Sequence, residues 1–147
     1  MPVVNRSSLV MHSAEQMFQL INDIAAYPEF VPDCHDSKVL ESSDSQMTAS
    51  LLVAKGGIKK WFTTKNTLVS NESVEMSLVD GPFKKLTGKW HLTKLSDEAC
   101  KINLELQYEF SSKVFDLAFG KAFNHMANNM VQAFIARAKD KFGGANG

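Results

Sequence analysis

"CKINLELQYEFSSKVFDLAFGKAFNHMANNMVQAFIARAKDKF", residues 100–142, changes its hydrophobic period partway along. Cys100, Ile102, Leu104, Leu106, Tyr108 and Phe110 alternate with Lys101, Asn103, Glu105, Gln107 and Glu109. That period of two predicts a strand with one face on a core and the other in water, the antiparallel habit. After Ser111-Ser112 the spacing becomes helical from Lys113 to Phe142, a run of roughly 45 Å at 1.5 Å per residue. Phe115, Phe119, Ala122, Phe123, Met126, Ala127, Met130, Ala133, Phe134 and Ala138 project into an arc of roughly 160°, with Lys121, His125, Asn128, Gln132 and Lys139 opposite. A helix lying on a flat sheet needs a stripe of only ~100°. This one is read as wrapped on more than one side, which a strongly curved antiparallel sheet achieves.

The upstream sequence supplies that sheet. Val3, Val4, Leu9 and Val10 mark a first strand. Ser13 then starts a short helix, with Gln16 as its capping-box partner and Met17, Leu20, Ile21 and Ile24 at helical spacing. Pro28 disfavours helical backbone in the residue before it, so this helix is expected to end near Tyr27. From about Ser37 to Phe110 alternating apolar residues, punctuated by Gly56-Gly57 and Asp80-Gly81-Pro82, read as six further strands in a meander. Gly88, in a strand otherwise rich in large residues, marks a bend or a close approach. The fold class is therefore α+β: a curved antiparallel sheet of about seven strands around a long C-terminal helix, with a short helix after strand 1. Residues 1–142 form one domain and 143–147 a disordered tail.

Bulk composition narrows the function classes. Sixteen basic and sixteen acidic residues cancel, so net charge makes no case for nucleic acid and any such surface must be local. No apolar run reaches the ~20 residues of a membrane span. Met1 to Ser8 lacks the basic start and apolar core of a secretory signal, so a cytoplasmic protein is expected. Two cysteines, Cys34 and Cys100, are too few for a disulfide framework and are read as reduced and structural.

The candidate sites follow from which face each residue takes. Phe115, Phe119, Phe123, Met126 and Met130 on the helix, with Trp90 and Tyr108 on strands, face the space between helix and sheet. Phenylalanine and methionine make adaptable apolar walls, so this set either fills a core or lines a pocket for a hydrophobic ligand. Tyr27, Phe30 and Val31, pinned by Pro28 and Pro32, and Phe83 after Asp80-Gly81-Pro82 are either lips of that pocket or aromatic plugs sealing a packed end. On the opposite parity Lys59, Trp61 and Lys65 share one strand face, and Lys85 and Lys89 share another. Basic side chains near an exposed aromatic suit RNA, although a solvated sheet face has the same pattern.

Catalytic and metal chemistry finds little purchase. The four histidines, His12, His35, His91 and His125, form no ligand-spaced pair, and there is no nucleophile elbow or phosphate-binding glycine loop. No catalytic residue and no metal ligand is assigned, and no cofactor is required. A cyclase or dehydratase in the same cavity would need inward polar groups, for which Asn66, Asp80 and Arg137 are the candidates.

Three segments, YPEFVPDC at 27–34, DGPFKKLTGKW at 80–90 and NMVQAFIARAK at 129–139, together resemble the ribosome association toxin RatA family. The wider group is the START-like, helix-grip family that also contains the mitochondrial coenzyme Q-binding proteins. The resemblance spans Pro2 to Phe142 and implies the helix-grip fold. It implies a non-enzymatic protein that binds the large ribosomal subunit and blocks its joining to the small one, with an antitoxin protein as a further partner. From the coenzyme Q-binding relatives it implies a ubiquinone or other hydrophobic small molecule in the cavity.

Overall fold

Ser13 starts the first helix as its sequence requires. Its hydroxyl accepts the Gln16 N–H at 3.1 Å, and the Gln16 side chain accepts the Ser13 N–H at 3.1 Å. In this computed structural model, which describes residues 3–55 and 57–143, β1 (Val3–Val10) leads into that helix, α1 (Ala14–Asn22). The helix stops earlier than the Pro28 argument predicts. Asp23 leaves helical backbone at ψ 66° and its N–H turns to the Leu20 carbonyl. A 3-10 helix, Ile24–Glu29, then carries the chain through Pro28.

Six strands follow as a meander: β2 (Cys34–Ser42), β3 (Gln46–Lys55), β4 (Ile58–Val69), β5 (Ser73–Asp80), β6 (Phe83–Ser96) and β7 (Ala99–Phe110). All pairings are antiparallel, and the sheet order β1-β7-β6-β5-β4-β3-β2 brings the first strand back beside the last. The alternation of residues 100–110 holds throughout, with Cys100, Ile102, Leu104, Leu106, Tyr108 and Phe110 all buried. Gly57 takes φ 88° in the turn between β3 and β4. Its predicted partner Gly56 and the tail residues Gly144 to Gly147 lie outside the described residues.

The C-terminal helical run is interrupted once. α2 (Lys113–Ala118) and α3 (Gly120–Phe142) meet at Phe119, whose backbone sits at φ −100°, ψ −27°. Helical bonds continue on both sides, from Phe119 N–H to Phe115 at 2.8 Å and from Phe123 N–H to Phe119 at 3.0 Å. Gly120 weakens the helix there, while Phe119, fully buried, is held among aromatic rings. The single helix expected from periodicity is thus a short segment and a long one.

One contiguous core runs from Val4 to Ala138, and α3 contributes Ala122, Phe123, Met126, Ala127, Met130, Val131, Phe134 and Ala138 to it. Each large apolar side chain buried this way contributes about 1.5–3 kcal/mol. Gly88 is a close-approach point: a Cβ there would fall 2.4 Å from Leu106 Cδ2 and 2.8 Å from Met76 Cε.

Candidate functional site

A cavity lies between the sheet and α3. Its walls are Ile21, Ile24 and Tyr27 from the first helical segments, inward residues of β3 to β7, and Phe123, Met126 and Met130 from α3. The space amounts to about 60 Å³ for the centres of water molecules, where one water needs ~10–15 Å³. It holds a few waters or a small ring. A larger guest requires side chains to move, and three of the walls, Met76, Met126 and Met130, are methionines that repack readily.

Two aromatic clusters bound this space. At one end Phe62, Phe83, Tyr108, Phe110, Phe119 and Phe123 pack edge to face or stacked, the Tyr108–Phe123 and Phe83–Phe123 centroids lying 4.8 and 4.9 Å apart. At the other end Phe134 meets Phe30 at 5.1 Å, Trp90 at 5.2 Å and Tyr27 at 5.3 Å. Such ring pairs add about 0.5–1.5 kcal/mol beyond area burial. Both proline-flanked segments are therefore plugs in this structure. Tyr27 is 3% exposed and donates its hydroxyl proton to the Ile21 carbonyl, and burial pushes its phenol well above the ordinary tyrosine range.

The sequence-predicted cavity residues divide accordingly. Tyr27, Trp90, Phe123, Met126 and Met130 line the space. Val31 is buried in the core, Phe83, Tyr108 and Phe119 belong to the first cluster, and Phe30 seals the second from the outside. Tyr108 donates to Asn124 Oδ1 on α3. Phe115, on α2, packs at the core's edge with the Lys60 ammonium 5.2 Å from its ring centre.

The polar part of the cavity is a pair on β4. Thr64 and Asn66, 8% and 4% exposed, both point inward, and the Thr64 hydroxyl donates to Asn66 Oδ1 at 2.9 Å. The other polar candidates lie elsewhere. Asp80 accepts the Gly81 N–H in the turn before β6. Arg137 pairs with Glu29 at 3.0 Å and lays its guanidinium 5.1 Å over Phe30. Among the described residues no group of three His, Cys, Asp or Glu side chains converges for a metal. Both thiols are free and buried, with pKa values pushed up to about 11 by burial.

The outer face of the sheet sorts the lysines into two sets. Lys59, Trp61 and Lys65 stand on the outer side of β4, and Lys38 on β2, absent from the sequence prediction, places its ammonium 4.7 Å over the Trp61 ring. Lys89, by contrast, pairs with Glu75 at 3.4 Å and sits opposite Glu105, while Lys85 sits opposite Glu109. Acids on the adjoining strands thus offset the β6 lysines and leave Lys38, Lys59 and Lys65 around an aromatic.

Residues 10–135 match the family model described as polyketide cyclase/dehydrase and lipid transport. The chain is 55% identical over 142 residues to the Escherichia coli K12 protein named ribosome association toxin RatA, covering 97% of this chain and 90% of that one. It is 28% identical to the mitochondrial coenzyme Q-binding protein coq10 of Schizosaccharomyces pombe, covering 92% and 85%. The Zhui aromatase/cyclase of Streptomyces sp. R1128 shares the fold at a TM-score of 0.80, with 15% identity and coverage of 96% and 95%. No helix among the described residues is long and apolar enough to cross a membrane. The chain belongs to the polyketide cyclase/dehydrase and lipid transport family, and within it to the ribosome association toxin RatA proteins.

Proposed function

We propose that this chain is a non-enzymatic binding protein that attaches to the large ribosomal subunit in the cytoplasm and hinders its joining to the small one. The observation that carries this reading is the 55% identity to a RatA protein along 97% of the chain. The outer face of β2 to β4 supplies a contact of suitable chemistry. Lys38, Lys59 and Lys65 neutralise phosphates, and Trp61 offers an indole for stacking on an unpaired base. A protein antitoxin is the further partner that a toxin of this kind requires.

The cavity serves a second, inward role: it holds a ubiquinone-like or other hydrophobic molecule, as the name of the coq10 relative suggests for that protein. Its walls support binding over catalysis. Among the described residues they include no carboxylate, imidazole or amine, so general acid–base chemistry would rest on Tyr27, whose hydroxyl is already engaged. The cyclase neighbour shares the fold and carries no further weight at 15% identity.

Sedimentation of ribosomal subunits at fixed magnesium and salt, with and without the protein, tests the first role. The protein should travel with the large subunit and deplete joined ribosomes; a protein that stays at the top of the gradient contradicts it. Solvent extraction of the purified protein for a bound quinone tests the second.

A further inference from the structure

Asn66 is an unusual residue for its position. Asparagine is disfavoured in strands, yet this one sits on the inner face of β4, with Met47 and Met76 as its partners on β3 and β5. It is 4% exposed and lines the cavity. The Thr64 hydroxyl fixes the amide by donating to Oδ1 at 2.9 Å, which turns Nδ2 away from Thr64. Nδ2 has no hydrogen-bond partner among the described residues. Because Asn66 lines the cavity, whatever occupies that space decides whether this donor is matched.

We propose that Asn66 is the polar anchor of the cavity, selecting an apolar, ring-sized ligand that carries a hydrogen-bond acceptor, with a ring carbonyl as the best fit. The proposal rests on the ligand-binding reading of the cavity given above and adds the chemical feature that the site recognises. The polar side chains on the cavity wall are Asn66, Thr64 and Tyr27, whose hydroxyl is already engaged, so a water here must complete its usual three partners from other waters. A flat molecule with one carbonyl satisfies the amide while its ring covers Leu86, Trp90 and Met126. Thr64 acts one step back, as the residue that orients the amide.

The test uses two probes of one shape: tetramethyl-1,4-benzoquinone, which has ring carbonyls, and 1,2,4,5-tetramethylbenzene, which lacks them. Binding is followed by NMR of the isotope-labelled protein. Asn66→Leu should lose about tenfold in affinity for the quinone and bind the hydrocarbon as well as or better than wild type does. In the wild-type protein the Asn66 side-chain amide resonances should move with the quinone and stay in place with the hydrocarbon, a readout that does not depend on the variant folding. If Asn66→Leu weakens both probes equally or neither, or if the amide resonances ignore the quinone, the anchor assignment falls while the cavity stands. If wild type takes up neither probe, the ligand-binding reading falls and the anchor falls with it.

Discussion

His125 Nδ1 on α3 lies 2.7 Å from Asp33 Oδ2, joining residues 92 positions apart in the chain. Two further pairs run alongside, Glu29 to Arg137 at 3.0 Å and Asp23 to Lys141 at 3.9 Å. Three acids on the segment from Asp23 to Asp33 thus meet three bases on α3, and between them lie Tyr27 and Phe30, the plug at one end of the cavity.

Asp33 also has a left-handed backbone, φ 61°, which asparagine and aspartate tolerate and alanine resists. Asp33→Asn should therefore cost less than about 1 kcal/mol, the range of a partly exposed ion pair. Asp33→Ala should cost roughly 1–2 kcal/mol more, from backbone strain. Urea unfolding of both variants checks this; equal losses would mean that the backbone conformation is unstrained.

The glycines separate fold from cavity. At Gly81, φ 147°, a Cβ would sit 2.7 Å from Phe62 Cβ and 3.2 Å from its Cα, atoms that cannot yield. Gly81→Ala should cost about 1–3 kcal/mol. At Gly88 the nearest atoms are the flexible ends of Leu106 and Met76, both cavity walls. Gly88→Ala should push them into the space, costing about 1–3 kcal/mol while reducing uptake of hydrophobic probes. A Gly88→Ala protein with undiminished uptake would place the ligand elsewhere.

Alkaline pH should destabilise the fold through its buried acids. Burial holds the Cys34 and Cys100 thiols up to about 11 and Tyr27 higher still. The folded chain therefore keeps protons that the unfolded chain releases from about pH 9 upward. Their stabilising contribution is complete below pH 9 and is lost as pH rises toward 11. The thermal midpoint should be flat on this account from pH 7 to 8 and fall from 9 to 11, less steeply in a Cys34→Ala/Cys100→Ala double variant. Identical slopes in the two proteins would remove the thiols from the explanation.

An element's own period was legible in the sequence, apart from the break at Phe119 that divides the C-terminal helical run. The alternation of Cys100 to Phe110, the Ser13–Gln16 box and the wide apolar arc from Phe119 to Ala138 each reappear in the structure. The sequence reading missed what tertiary contacts decide. Lys38 was hidden because β2 shifts register between Cys34 and Asp36 and again between Val39 and Glu41, which erases its period of two. The separation of Lys85 and Lys89 from Lys59 and Lys65 depends on Glu75, which pairs with Lys89, and on Glu105 and Glu109, which come to stand opposite Lys89 and Lys85 only once the strands pair. Asn66 is a polar candidate by sequence, but the orientation of its amide shows only with the Thr64 contact in place. The aromatic plugs likewise require residues from β4, β6, β7 and α3 to meet.

The central claim is that the outer face of β4 holds the ribosome while the cavity does not. Its most direct test is co-sedimentation with the large subunit across a salt series for wild type, Lys59→Glu/Lys65→Glu and Lys85→Glu/Lys89→Glu. The two variants carry the same change in charge, but only the first reverses lysines with no carboxylate directly opposite them among the described residues, Lys59 facing Ala54 and Lys65 facing Thr48 and Ser77. The account predicts that the first loses association, and that any residual binding shows a salt slope shallower by about 1–2, while the second binds like wild type. Retained association in the first variant, or equal loss in both, would contradict it.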